Sequence, residues 1–320
     1  MRGWMVIWLG CVFSLVWAQF QNGDSSETSF LANLVAPWRS GQLWTPSTYD
    51  SHTSMGPLYA VDFNRASGTR STCPYTPGWI EDCNEVLVAS HSGRAYTRAQ
   101  SGCTGYGNYA VVVSSVRVSG TSSTYLATIY AHLNYFLVAN NTTVSAGQPL
   151  ARLGSTGNSS GPHLHYEIRE VTVSGSTLTL GTRRQVLNNP AIRLSGQPLT
   201  VDLGCRVNGL GYVGRPITGT AMVGSIPSNI AGPCAPYSCG GLLRDVPETE
   251  PGRCLEDTLP DVIVIYLTDV DGDGVVDESD LLRVLHEWGC TGECSADVNG
   301  DGIVDETDLI WVLNDLGQSG

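Results

Sequence analysis

The sequence predicts a mainly β protein: an antiparallel β-sheet domain followed by a small α-helical, calcium-loop domain at the C-terminus. Three observations carry this. Short apolar runs rich in β-branched residues recur from Leu43 onward, broken by Gly, Ser, Thr and Asn; they include Tyr59 to Phe63, Val86 to Ser90, Tyr109 to Val118, Tyr125 to Ala131 and Val171 to Leu180. No helix-period segment longer than two turns stands out before residue 260. The tail then repeats itself, DVDGDGVVDESDLLRVLHEWG from Asp269 and DVNGDGIVDETDLIWVLNDLG from Asp297, an offset of 28 residues.

At 320 residues the chain is long enough for two domains. Residues 1–18 read as a secretory signal: Arg2 is followed by an apolar run to Trp17, and a cut before Gln19 fits Ala18. That run is too short to span a bilayer, and no later stretch is long and apolar enough. The expected location is therefore extracellular or periplasmic in a bacterium, with or without attachment to the cell surface. Residues 19–42 are expected to be a lead-in packed on the domain edge. Residues 43–200 form the main domain. Residues 201–260, rich in Cys, Gly and Pro, are expected to be an irregular connector held by disulfides, and 261–320 the tail domain.

Nine cysteines follow the expected cut, and in an exported chain most should pair. Close spacing suggests Cys73 with Cys83, Cys234 with Cys239, and Cys290 with Cys294. Cys103, Cys205 and Cys254 remain, an odd count that means either one free thiol or a cut at another place. The formal net charge is −13, but residues 261–320 hold 15 of the 30 acidic residues against one base, Arg283. The main domain is thus close to neutral and offers no basic patch for nucleic acid.

The main domain centres on STGNSSGPHLHYEIR, residues 155–169. Its two histidines, His163 and His165, stand one residue apart and so share one face of a strand. Two imidazoles side by side make a poor core and a good metal site. Upstream lie His52, Asp62 on the run YAVDF, and His132 at the end of the run TIYAH. Four histidines and an aspartate can supply three Zn²⁺ ligands and two water-activating groups. His91 is read as a surface residue and His286 as part of a solvated helix face. Glu167 shares the face of the histidine pair; it is either an acceptor for an imidazole N–H or an exposed strand residue.

The runs GNYAVVV, YAHL and SAGQPLARLGSTGNSSGPHLHYEIR resemble the lysostaphin/LytM-type zinc endopeptidases. The resemblance covers about residues 43–194 and implies an antiparallel β fold that cuts peptide bridges of bacterial peptidoglycan, commonly at glycine-containing bonds. It implies His52, Asp62 and His165 as zinc ligands and His132 and His163 as the histidines that activate water. Tyr49 is the candidate tyrosine for the oxyanion. Nine residues separate His52 from Asp62, where the commoner family spacing is three. This spacing is closer to the beta-lytic branch, with Thr53 to Leu58 as an intervening loop.

In the tail, Asp269, Asp271, Asp273, Asp277 and Asp280 fall at positions 1, 3, 5, 9 and 12 of a calcium loop, with the Val275 carbonyl at position 7. Asp297, Asn299, Asp301, Asp305 and Asp308, with Ile303, repeat the set. Gly274 and Gly302 occupy position 6, where the chain turns sharply. Position 12 is Asp and no helix precedes either loop, so the module resembles a dockerin, which implies a cohesin-like partner. Helices are expected over Glu278 to Trp288 and Glu306 to Leu316, with their apolar faces packed together and Cys290–Cys294 clipping the link.

The expected function is a secreted zinc endopeptidase of peptidoglycan docked through a calcium-binding tail. Two alternatives stand beside it: a catalytically inactive wall-binding module, and a protease of glycine-rich extracellular proteins.

Overall fold

A computed structural model describes residues 26–50, 52–67, 78–79, 82–207, 211–220, 222–239 and 262–320. The expected signal segment, Cys73 and Cys254 lie outside the described residues.

The chain opens with a short helix α1 (Glu27–Ala32), capped by the Ser26 hydroxyl. The main strands follow in chain order: β1 (Leu43–Tyr49), β2 (Val61–Ser67), β3 (Gly93–Ala99), β4 (Asn108–Arg117), β5 (Thr124–Phe136), β6 (Leu164–Ser174), β7 (Thr177–Arg183), β8 (Val201–Val207), β9 (Gly211–Gly214) and β10 (Ile263–Tyr266). Two helices, α2 (Glu278–His286) and α3 (Glu306–Asp315), close the tail. The strands form one antiparallel sheet in the order β8, β9, β1, β2, β6, β5, β4, β3, with β7 paired to β6 and β10 to β7. β6 is flanked by β2 on one side and β5 on the other, which places His165 opposite both Asp62 and Ala131.

Alternation along the strands makes two cores. One face of the sheet packs Trp38, Trp44, Phe63, Tyr130, Leu164 and Tyr166. The other packs Tyr106, Tyr109, Val111, Ile129, Ala131 and Val171. Each such large side chain contributes on the order of 1.5–3 kcal/mol on burial. The lead-in supplies Leu34 and Trp38 to the first core, where Trp38 stacks on Trp44 at 5.3 Å.

The structure corrects three expectations. Residues 201–218 are not an irregular connector: β8, β9 and the short strand Ile217–Thr218 extend the sheet beside β1. Their glycines reflect close approach. A Cβ on Gly214 would stand 2.0 Å from the Thr200 carbonyl oxygen. Among the described residues, Cys83 bridges Cys239 and Cys103 bridges Cys234, against the pairings that close spacing suggests, and Cys290 bridges Cys294 in line with them. The sheet brings these distant segments within bridging range, at Cα separations of 5.8 and 5.5 Å.

The third correction concerns the tail helices. They pack together, but of their expected stripes only Val284 and Val312 are fully buried. Leu282, Leu285, Trp288, Ile310, Leu313 and Leu316 remain exposed. The tail core is filled instead by Val270, Val276, Val298 and Val304 from the loops.

Candidate metal centre and calcium loops

Three donor atoms meet at one point. His52 Nε2 is 3.1 Å from His165 Nδ1, and each stands 3.2 Å from Asp62 Oδ1. Tetrahedral Zn²⁺ with bonds of about 2.0–2.1 Å places its ligand atoms about 3.3 Å apart. The triangle therefore has the size of one face of such a coordination shell. His52 is delivered by the turn after β1, where its N–H bonds the Tyr49 carbonyl. Asp62 lies on β2 and His165 opposite it on β6.

The far side of each imidazole fixes its tautomer. His165 Nε2 donates to Glu167 Oε1 at 2.9 Å. His52 Nδ1 donates to Thr48 Oγ1 at 2.9 Å, because that hydroxyl donates its own proton to the Pro57 carbonyl at 2.7 Å. His132 Nδ1 donates to the Thr156 carbonyl and His163 Nδ1 to the Gly161 carbonyl. Four ring lone pairs are thus left facing one region, beside the Asp62 carboxylate. His132 Nε2 and His163 Nε2 are buried and have no hydrogen-bond partner within the protein. His163 Nε2 stands 3.6 Å from Asp62 Oδ1, and its ring lies 4.7 Å from that of His132. A set of inward acceptors without donors fits a divalent cation with water beside it.

His132 reaches this cluster through a β-bulge. Between the pairs Ala110–Tyr130 and Asn108–Leu133, β4 has one residue and β5 has two. His132 takes φ +62°, in the left-handed region, and its N–H bonds the Tyr106 carbonyl at 3.0 Å. Strict alternation would send His132 to the side of Tyr130, in the first core. The bulge brings it to the side of Ala131 and His165. It lies inside the strand rather than at its expected end.

Electrostatics agree with a site built for positive charge. Burial opposes ionisation of Asp62, yet the neighbouring His52 and His163 and the bonds from the imidazoles hold it well below the usual carboxylate range. Burial, aided by His163 and His165, pushes His132 well below the usual imidazole value, so it is a neutral base. Burial also disfavours charge on His165, but its bonds to Asp62 and Glu167 outweigh this and raise it to about 9. A cation held there would take the place of that proton.

Glu167 is fully buried, not an exposed strand residue. It accepts from His165, from the Tyr106 hydroxyl at 2.7 Å, and from Arg169 Nε and Arg183 Nε at 2.6 and 3.0 Å. Despite burial, His165 and these guanidinium groups keep it ionised. Sequence reasoning missed Tyr106, Arg183, Thr48 and Thr156. Arg169 was legible, two residues from Glu167 on one strand face. Tyr49 packs over Gly211 with its ring 6.0 Å from that of His52. His91 is not on the surface: it is 7 % exposed, edge-on to Phe30, with Nε2 3.0 Å from Thr128 Oγ1. His286 is exposed on α2.

In the tail, Asp269, Asp271 and Asp273 bring carboxylates together. Asp269 accepts from the Gly272 and Gly274 amides, and Asp297 from those of Gly300 and Gly302. All four glycines have positive φ, as the tight loop requires. Asp280 and Asp308 each accept three backbone amides and cap the loops. Burial, reinforced by the surrounding carboxylates, pushes both up to about 6. Val275 and Ile303 donate their N–H groups to Asp273 and Asp301. Asp277 and Asp305 cap α2 and α3. The oxygen-rich loops fit Ca²⁺.

The sheet and its convergent donors define a metal-binding geometry. Residues 82–178 match the family model described as peptidase family M23, and residues 267–317 that of the dockerin type I domain. The chain carries an M23 peptidase domain followed by a dockerin type I domain. The first match includes His132, His163 and His165; His52 and Asp62 lie before it.

Among known proteins, the peptidoglycan DD-endopeptidase ShyA of Vibrio cholerae is 32% identical over 150 residues, covering 46% of this chain and 29% of that protein. The DD-carboxypeptidase/endopeptidase Mpg of Neisseria meningitidis is 42% identical over 65 residues, 20% of this chain and 13% of that protein. The chain thus spans under a third of the length of these curated relatives. The catalytic domain of lysostaphin from Staphylococcus simulans overlays 50% of this chain and 95% of that domain at 22% identity and a TM-score of 0.28. The M23 metalloprotease pseudoalterin covers 58% of this chain and 98% of its own at 21% identity and a TM-score of 0.33. No helix among the described residues is long and apolar enough to cross a membrane.

Proposed function

We propose that this protein is an exported zinc endopeptidase that cuts the peptide cross-bridges of bacterial peptidoglycan, at glycine-containing bonds. The observation that carries the reading is the convergence of four imidazole lone pairs and the Asp62 carboxylate, with every opposing ring N–H already tied to oxygen. His52 Nε2, Asp62 Oδ1 and His165 Nδ1 hold the zinc. When bound there, zinc supplies Lewis acidity to the scissile carbonyl and lowers the pKa of water. His132 and His163, with free Nε2 atoms, take the proton of the attacking water and return it to the leaving amine as the C–N bond breaks. Tyr49, whose ring lies 6.0 Å from that of His52, is the candidate to serve the oxyanion.

The peptidase unit in this reading runs on through the strands at 201–218. The tail binds two calcium ions, one through Asp269, Asp271, Asp273, Val275, Asp277 and Asp280, the other through Asp297, Asn299, Asp301, Ile303, Asp305 and Asp308. Its exposed Leu282, Leu285, Trp288, Ile310 and Leu313 offer an apolar surface to a cohesin-like partner.

Zinc quantification of the purified chain, with mass analysis of products from digested peptidoglycan, tests the reading. One zinc per chain and new termini at glycine-containing bonds are expected. A metal-free, inert protein would favour a wall-binding module; cleavage confined to glycine-rich proteins would move the substrate elsewhere.

A further inference from the structure

We propose that the first calcium loop is a structural part of the peptidase unit, so that calcium bound there locks the tail onto the catalytic sheet. This rests on the calcium-loop reading above. The loop does not hang from a tether. Its Gly272 carbonyl accepts from the Ala99 amide of β3 at 2.9 Å. Gly272 lies so close to that strand that a Cβ would stand 2.3 Å from the Thr97 carbonyl oxygen. Asn140 Nδ2 donates to the Val270 carbonyl at 3.0 Å, and Asn141 Nδ2 to the Asp297 carbonyl of the second loop at 2.9 Å.

Arg98 is the hub. It is 2 % exposed and donates to the Thr97 carbonyl, Asn140 Oδ1 and the Tyr266 carbonyl. Its Nε has no hydrogen-bond partner within the protein and faces Asp269 Oδ2, the position-1 carboxylate, at 3.6 Å. A buried guanidinium is retained where the charge opposite it is held in place. Just before the loop, β10 pairs with β7 over four residues, and Leu267 donates to the Ser176 carbonyl. Ile263, Ile265 and Leu267 complete the second core, which also holds Tyr106 and its bond to Glu167.

The physical link is the shape of the loop. Without a cation its carboxylates repel, and backbone groups at Val270 and Gly272 that bond the peptidase domain lose their fixed spacing. With calcium they are set. By reciprocity, whatever the cation gives the docking, the docking gives the cation.

Hydrogen exchange on the full, zinc-loaded chain, with calorimetric titration of CaCl2, tests this. Calcium should slow exchange about tenfold or more in peptides covering Thr97–Ala99 and Leu178–Leu180, which hold no calcium ligand, while peptides over β9 stay unchanged. Asn140→Ala should weaken calcium binding at one site about threefold to tenfold and reduce that protection in step. Calcium binding with protection confined to residues 262–320 would overturn the proposal. No calcium binding at all would overturn the calcium-loop reading, and the proposal with it.

Discussion

His52 Nε2 lies 3.1 Å from His165 Nδ1, although the two stand 113 positions apart in the chain. Neither nitrogen has a proton to give the other once Thr48 and Glu167 have taken the opposing N–H groups. Such a pair is stable only with a cation or a shared proton between it and Asp62. His165→Ala and Asp62→Asn should therefore each leave a folded protein without metal, measured by elemental analysis after dialysis. Full zinc occupancy in either variant would remove these residues from the ligand set.

His132 stands apart from the triangle. His132→Ala is expected to retain zinc and lose turnover by about 10²–10⁴-fold, the usual contribution of a positioned base. His163→Ala should behave alike in metal content. Loss of zinc from His163→Ala with retention in His165→Ala would exchange the two roles.

Glu167 orients His165 without reaching the metal. Glu167→Gln keeps the shape but weakens the acceptor and leaves Arg169 and Arg183 less compensated. Zinc affinity should fall about 10–100-fold in a chelator competition assay. Unchanged affinity would make the network structural only.

Burial holds His91 down to about 4, from an ordinary 6.5. As pH falls the unfolded chain takes this proton first, so stability is full above about pH 6.5 and declines between 6.5 and 4. The cost reaches about 2 kcal/mol at pH 5. Urea unfolding at pH 7.5 and pH 5 should show that slope reduced in His91→Gln. Equal slopes would assign the loss to other groups.

The two long disulfides close loops with sequence separations of 156 and 131 residues. In the chain-entropy view, closing a loop of that size contributes up to about 5 kcal/mol. Non-denaturing reduction should lower the unfolding temperature markedly. A shift within a degree would show that the sheet alone holds residues 230–239.

What the sequence made legible was local. The HxH spacing, the Asp-rich loops and the β-branched runs each express their chemistry within a dozen residues. What stayed hidden was long-range. Pairing Cys83 by proximity ignored that the sheet brings Cys239 beside it. The glycines at 211 and 214 read as a loop because close packing of backbones leaves no side-chain pattern. The exposed Leu282 and Trp288 read as core because amphipathicity does not say what covers the apolar side. Tyr106 and Arg183 became visible only once the sheet had placed them behind His165.

The single extra residue in β5 has a genetic consequence. Loss of one codon around Ala131 or His132 would restore strict alternation there while the sheet kept its neighbours and most of its core. Loss of Ala131 would draw the histidine back one place along the strand, and loss of His132 would remove the base outright, while Leu133 kept its place in the first core either way. A copy that had lost His132 in this way would keep its core and its disulfides with the base gone, and counting the residues between Tyr130 and Leu133 would reveal it.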